Sequence, residues 1–164
     1  MGMKKLRVYL DTSVINFLFA DDAPEKMGAT LDFFKRFVIT GRYEVAVSPV
    51  VLAEINQTKD GEKRKLLLGK IAEYGLRGIT LEPHDEVTAL ADAYVTQGVI
   101  PESNYEDALH VALCTVNEID VLISWNFEHL ANVKRERRVL AVNQANGYFY
   151  PLRITTPLEV MGDD

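Results

Sequence analysis

The sequence predicts an α/β fold of three layers, with a central parallel sheet covered by helices on both faces. Short β-rich runs alternate with helical segments along the 164 residues, the order that builds right-handed βαβ units. One of these runs, Val121 to Ser124, is apolar without polar alternation, as a strand buried on both faces is. Residues that start helices follow directly on strands at Asp11-Thr12-Ser13 and at Ser48-Pro49.

In chain order, Leu6 to Leu10 is a strand that ends at Asp11, where a helix begins. Asp21 to Pro24 breaks the chain before a helix over Met27 to Ile39, in which Leu31, Phe34, Phe37 and Val38 recur at helical spacing and Gly41 is the stop. Tyr43 to Val47 is the second strand. Ser48 and Pro49 then start a helix over Val50 to Gln57, whose Val51, Leu52 and Ile55 are expected to face inward. Lys59 to Lys65 is charged and expected as an exposed turn, running into a helix over Glu62 to Tyr74 with Leu66, Leu67 and Ile71 inward. Ile79 to Leu81 is expected as the third strand, and Asp85 to Gln97 as a helix entered through Pro83. Gly98 to Pro101 precedes the most apolar helix, Asn104 to Val116, which leads into Val121 to Ser124. A turn at Phe127 to Leu130, a helix over Val133 to Asn143 and a strand near Leu152 to Thr155 complete the chain. No repeat, low-complexity tract or linker divides it, so residues 1–164 are expected to form a single domain.

A chain of this size with 48% hydrophobic residues buries a core without disulfides or structural metal. The single cysteine, Cys114, lies in an apolar run and is expected as a small core residue. Met1 to Lys5 leads directly into a strand, with no signal-peptide hydrophobic region. No stretch approaches the roughly 18 apolar residues of a membrane span. A cytoplasmic setting without a membrane is the expectation. The formal charge of −6 excludes a sequence-blind DNA coat, which needs a basic surface, but not a nuclease with local basic faces. Lys134, Arg135 and Arg138 fall on one side of a helix, as a backbone-binding face or simply a solvated one.

Four short segments place an acid or amide at a strand end or inside an apolar helix, and an unpartnered carboxylate in a core costs several kcal/mol. Asp11 follows a strand, where open α/β sheets bind ligands, and also suits a helix cap. Asp107 shares a helical face with Val111 and Cys114, while Glu106 fits a Ser-x-x-Glu capping box with Ser103. Glu54 sits in the second turn of a half-apolar helix. Asn126 ends the strand at Trp125, suited to a hard cation, to a metal-held water or to a cap. Ser13 and Asn16 are candidates to line the same mouth. His110, three residues from Asp107, is within reach to hydrogen-bond near the site but is expected as a satisfied core histidine rather than a catalytic base; His84 and His129 have no assigned role. Three acids in one frame point to a divalent cation and to phosphoester hydrolysis. A phosphotransfer or receiver domain fails because Asp11-Thr12-Ser13 lacks the second aspartate of the phosphatase pattern and no lysine follows a late strand.

The segments Leu10 to Asn16, Ser48 to Ile55 and Glu106 to Ala112 resemble, in order and spacing, the motifs of PIN-domain nucleases. Ser124 to Asn132 resembles the fourth motif of a branch of VapC-like toxin ribonucleases with Ser/Thr-Trp-Asn there, and Leu152 to Pro157 fits the same branch. The resemblance implies a PIN-like α/β/α sandwich, Mg²⁺ or Mn²⁺ at clustered acids, endonucleolytic cleavage of RNA, an antitoxin partner and a homodimer. By motif, Asp11, Glu54 and Asp107 match the family acids, and Asn126 stands where many members carry a fourth acid. One Mg²⁺ on Asp11 and Asp107, with Glu54 bound or bridging through water and Asn126 orienting that water or completing the shell of a second ion that arrives with substrate, is the expected arrangement. A PIN-like domain that binds RNA or a partner chain without cutting is the alternative.

Overall fold

The structure is a computed structural model and describes residues 5–80 and 82–162. The sheet is built from β1 (Arg7–Leu10), β2 (Glu44–Val47), β3 (Arg77–Gly78), β4 (Val121–Ile123) and β5 (Arg153–Thr155), in the order β3-β2-β1-β4-β5, all parallel. Val8, Tyr9 and Leu10 have no exposed surface, as a central strand covered on both faces requires. The helices are α1 (Thr12–Asn16), α2 (Pro24–Phe33), α3 (Pro49–Asn56), α4 (Gly61–Glu73), α5 (His84–Thr96), α6 (Tyr105–Val116), α7 (Val133–Ala145) and α8 (Pro157–Gly162).

The chain leaves β1 towards β2 and β3 on one side, then returns through α5 and α6 to β4 and β5 on the other. The carboxyl ends of β1 and β4 therefore form a topological switch point, where ligands bind in open α/β sheets. Gly98, at φ +71°, makes the reversal between α5 and α6 possible: its N–H reaches Val95 O at 3.0 Å and the Val99 N–H reaches Tyr94 O at 2.9 Å.

Several expectations are corrected. The helix expected over Met27 to Ile39 is α2 followed by a π-turn at Phe34–Val38, closed by Ile39 N–H to Phe34 O at 2.9 Å. Phe34 and Phe37 are fully buried as their spacing predicts, Phe33 is buried beside them, and Leu31 is exposed. The third strand lies at Arg77–Gly78 rather than at Ile79 to Leu81, because β2 ends at Val47 to start α3 and pairing stops with Ile79 N–H on Val47 O. Leu81 itself lies outside the described residues, as do Met1 to Lys4. The charged run at Lys59 to Lys65 enters α4 at Gly61, since Asp60 caps it through Oδ1. Leu66 and Leu52, expected inward, are exposed. Ser103 stands in a 3₁₀ turn (Glu102–Asn104) and α6 has no side-chain cap, so the Ser103–Glu106 box is not formed and Glu106 is solvated. Helix α8 has no counterpart among the expected elements.

Candidate functional site

Asp11, the residue after β1, does two local jobs. Its backbone N–H bonds Ile123 O across to β4 at 3.2 Å, and its carboxylate caps α1 by accepting the Val14 N–H. Ser13 Oγ donates to the same carboxylate and accepts the Trp125 N–H at 2.9 Å, fastening the β1 and β4 ends together. Asp11 is only 3% exposed. Burial raises its pKa, against the lowering effects of His110, of the Ser124 and Ser13 hydroxyls and of the Val14 N–H.

Glu54 projects from α3. Its Oε1 accepts Thr12 Oγ1 at 2.8 Å and His110 Nε2 at 2.6 Å. Burial alone would raise its pKa, but the His110 bond and charge and the Thr12 hydroxyl hold it below the ordinary value. His110 is 1% exposed, and its Nδ1 lies 2.6 Å from Tyr9 Oη, which is 2.7 Å from Ser48 Oγ. Burial disfavours the imidazolium. The Glu54 hydrogen bond and the charges of Asp11, Glu54 and Asp107 outweigh it and raise the pKa.

Asp107 lies in the first turn of α6, where the helix dipole favours an anion. It is half-buried, and its pKa is pushed up to about 6, first by burial and then by the Asp11 charge, with Glu54 and Glu106 adding and His110 opposing. Arg135 of α7 acts on Asp107 through space, and its own pKa is lowered by burial and by Arg138. Arg138 instead donates to Gly98 O at 3.0 Å.

The fold thus brings Asp11 and Glu54 within electrostatic range of Asp107, and all three within range of His110. Asn126 serves a turn: its Oδ1 accepts the His129 N–H at 3.2 Å, and its carbonyl accepts the N–H groups of Leu130 and Ala131. His84 and His129 lie exposed at the surface. Sequence reasoning missed Tyr9, Thr12 and Ser48 as members of the network, and His110 is the buried, hydrogen-bonded histidine it expected. Tyr9 gives a faint signal, a polar-tipped residue in an otherwise apolar central strand, whose buried hydroxyl needs a partner.

Among the described residues, no three His, Cys, Asp or Glu side chains are gathered closely enough to hold a metal ion as they stand. Their chemistry nonetheless fits a hard cation. Carboxylates whose charges act on Asp107 offer oxygen donors, and Mg²⁺ takes only one or two carboxylates while keeping several waters. A cleft of about 750 Å³ opens beside the end of β4, lined by Lys26, Trp125, Phe127, Val133 and Leu158 among others, and by none of the three acids. The Lys26 ammonium lies 5.2 to 5.8 Å from the ring centres of Phe17, Trp125 and Phe127.

Five parallel strands in this order between helical layers define a PIN-like three-layer α/β/α fold. A chain of VapBC2 from Rickettsia felis, solved bound to a DNA fragment from its promoter, superposes with TM-score 0.59 at 15% identity, over 91% of this chain and 97% of that one. A chain of FitAB bound to the IR36 DNA fragment gives 0.58 at 14% identity, over 92% and 94%. At such identities the likeness is one of fold. No protein-family model matches the chain. In sequence, AIG2-like protein A of Arabidopsis thaliana is 28% identical over 131 residues, 79% of this chain and 71% of that protein, a level that assigns no family.

Proposed function

We propose that the protein is a divalent-metal-dependent endoribonuclease, the toxin of a toxin–antitoxin pair. The observation that carries this reading is the convergence of Asp11 and Asp107 with Glu54 at the switch point of the sheet. Burial and repulsion among them push Asp107 up to about 6, a cost a bound cation would remove. The motif resemblance and the fold shared with chains of VapBC2 and FitAB support the toxin assignment and an antitoxin partner.

In this reading Asp11 and Asp107 hold Mg²⁺ or Mn²⁺, and Glu54 binds it directly or through water. The cation supplies Lewis-acid chemistry, making water a stronger acid near neutral pH and neutralising charge that builds on the scissile phosphate. Ser13 and Ser124 keep the Asp11 carboxylate ionised and aimed. Thr12 and His110 do the same for Glu54. Asn126 orients water or a substrate oxygen through its amide nitrogen, its Oδ1 being taken by the turn. Lys26 and the exposed Phe127 in the neighbouring cleft offer a strand of RNA a cation and a stacking face. No side-chain nucleophile enters.

Cleavage of a mixed pool of structured RNAs with Mg²⁺ or Mn²⁺ tests this, beside a chelator and the Asp107→Asn variant. Cleavage lost in both controls is the expected result. A PIN-like domain that binds RNA or protein without cutting is the second reading, favoured by Asn126 in place of an acid and by the open arrangement of the carboxylates. The absence of both cleavage and metal binding would move the assignment there.

A further inference from the structure

With a neutral imidazole, the hydrogen bonds behind Glu54 run in one direction. A carboxylate only accepts, so His110 Nε2 carries the proton shared with Glu54 Oε1. In the neutral ring Nδ1 is then an acceptor, and Tyr9 Oη donates to it at 2.6 Å. Tyr9 has no second proton, so its oxygen accepts from Ser48 Oγ at 2.7 Å. Ser48 in turn accepts the Val50 N–H at 3.2 Å. Each donor is used once, and the path closes on itself: it leaves the N-terminus of α3 at Ser48, crosses β1 at Tyr9 and α6 at His110, and returns to α3 at Glu54.

The path fixes more than the position of a helix. Glutamate has three rotatable bonds, and at a half-exposed position it would sample several rotamers. Here Oε1 takes two donors, His110 Nε2 and Thr12 Oγ1, while Oε2 has no hydrogen-bond partner among the described residues. One oxygen is tethered and the other is left for a ligand.

We propose that His110 and, behind it, Tyr9 are positioning residues that hold Glu54 in the rotamer that serves the cation. This rests on the metal-site reading above. Groups of this kind, one bond removed from a ligand, commonly govern metal affinity by about tenfold or more. The pair also explains why a tyrosine of β1 and a histidine of α6 are buried where aliphatic residues would fill the same core.

The test is Mn²⁺ binding by calorimetry to the full chain freed of metal, with folding checked by circular dichroism. Tyr9→Phe removes one hydroxyl and leaves the ring, and should weaken Mn²⁺ severalfold. His110→Leu should weaken it by about tenfold, and His110→Gln, whose amide nitrogen can still donate to Glu54, should restore most of the loss. In a Glu54→Gln background His110→Leu should have no further effect, because the residue it positions is no longer a carboxylate. A folded His110→Leu or Tyr9→Phe protein that binds Mn²⁺ as tightly as the wild type would overturn the inference, as would a His110→Leu loss that persists undiminished beside Glu54→Gln. A wild type without saturable Mn²⁺ binding would instead overturn the metal-site reading, and this inference with it.

Discussion

Ser13 and Trp125 tie the ends of two neighbouring strands together: Ser13 Oγ accepts the Trp125 N–H at 2.9 Å while donating to the Asp11 carboxylate. The hydroxyl thus orients an acid and closes the sheet at its switch point. Ser13→Ala leaves a backbone N–H and a buried carboxylate each short of a partner. It is expected to cost about 1–3 kcal/mol in urea unfolding and to weaken Mn²⁺ binding as well. A loss of stability with unchanged affinity would confine Ser13 to the fold.

Asp107 makes the metal-free protein pH-sensitive. Its pKa rises from 3.8 to about 6 on folding. Between those values the folded state holds the proton more tightly than the unfolded state, so stability falls as pH rises through that window and the loss is complete above about pH 6. For a half-buried group the loss is on the order of 2 kcal/mol. In chelator at pH 7, Asp107→Asn should therefore be more stable than the wild type, and added Mn²⁺ should stabilise the wild type alone. Thermal melts from pH 4 to pH 7 would show both effects.

A second buried network serves the fold rather than the site. Tyr94 Oη donates to Asn143 Oδ1, and Asn143 Nδ2 donates to Thr115 Oγ1 at 3.1 Å, joining α5, α7 and α6. Burial pushes the Tyr94 hydroxyl pKa well up. Asn143→Ala takes one partner from each hydroxyl, leaving Tyr94 Oη and Thr115 Oγ1 only each other at 3.2 Å, and opens a cavity, an expected cost of about 2–4 kcal/mol. Mn²⁺ affinity of the folded fraction should be unchanged, which calorimetry below the melting temperature would check.

Asn126 separates a structural duty from a functional one. Asn126→Ala removes the acceptor for the His129 N–H and should cost about 1 kcal/mol. Asn126→Asp keeps that acceptor and adds a carboxylate at the end of β4, so it should retain stability and tighten Mn²⁺ binding. An Asp variant that binds no better than the wild type would place position 126 outside the reach of the cation.

The parts of the fold legible in the sequence are those set by local patterns. The buried runs at β1 and β4 are nearly unbroken apolar stretches, and Ser48-Pro49 and Asp11 carry strand-to-helix signals that the structure uses directly. What escapes is decided by distant contacts or small backbone choices. The β3 pairing depends on where β2 ends. The π-turn after α2 closes on a wider bond, Ile39 N–H to Phe34 O, that helical spacing does not announce. The Ser103–Glu106 box yields to a 3₁₀ turn. The three acids stand out because carboxylates are conspicuous beside apolar residues. Tyr9 and His110 are far apart in sequence, and each alone reads as an ordinary core residue. Only the register of β1 between β2 and β4 brings them together.

Equilibrium binding of Mn²⁺ to the metal-free wild type, with Asp11→Asn and Asp107→Asn beside it, tests the central claim most directly. A saturable site in the wild type that Mg²⁺ displaces and that both variants lose is the predicted result. No saturable binding, or binding that both folded variants retain at wild-type affinity, would contradict a cation site at these acids.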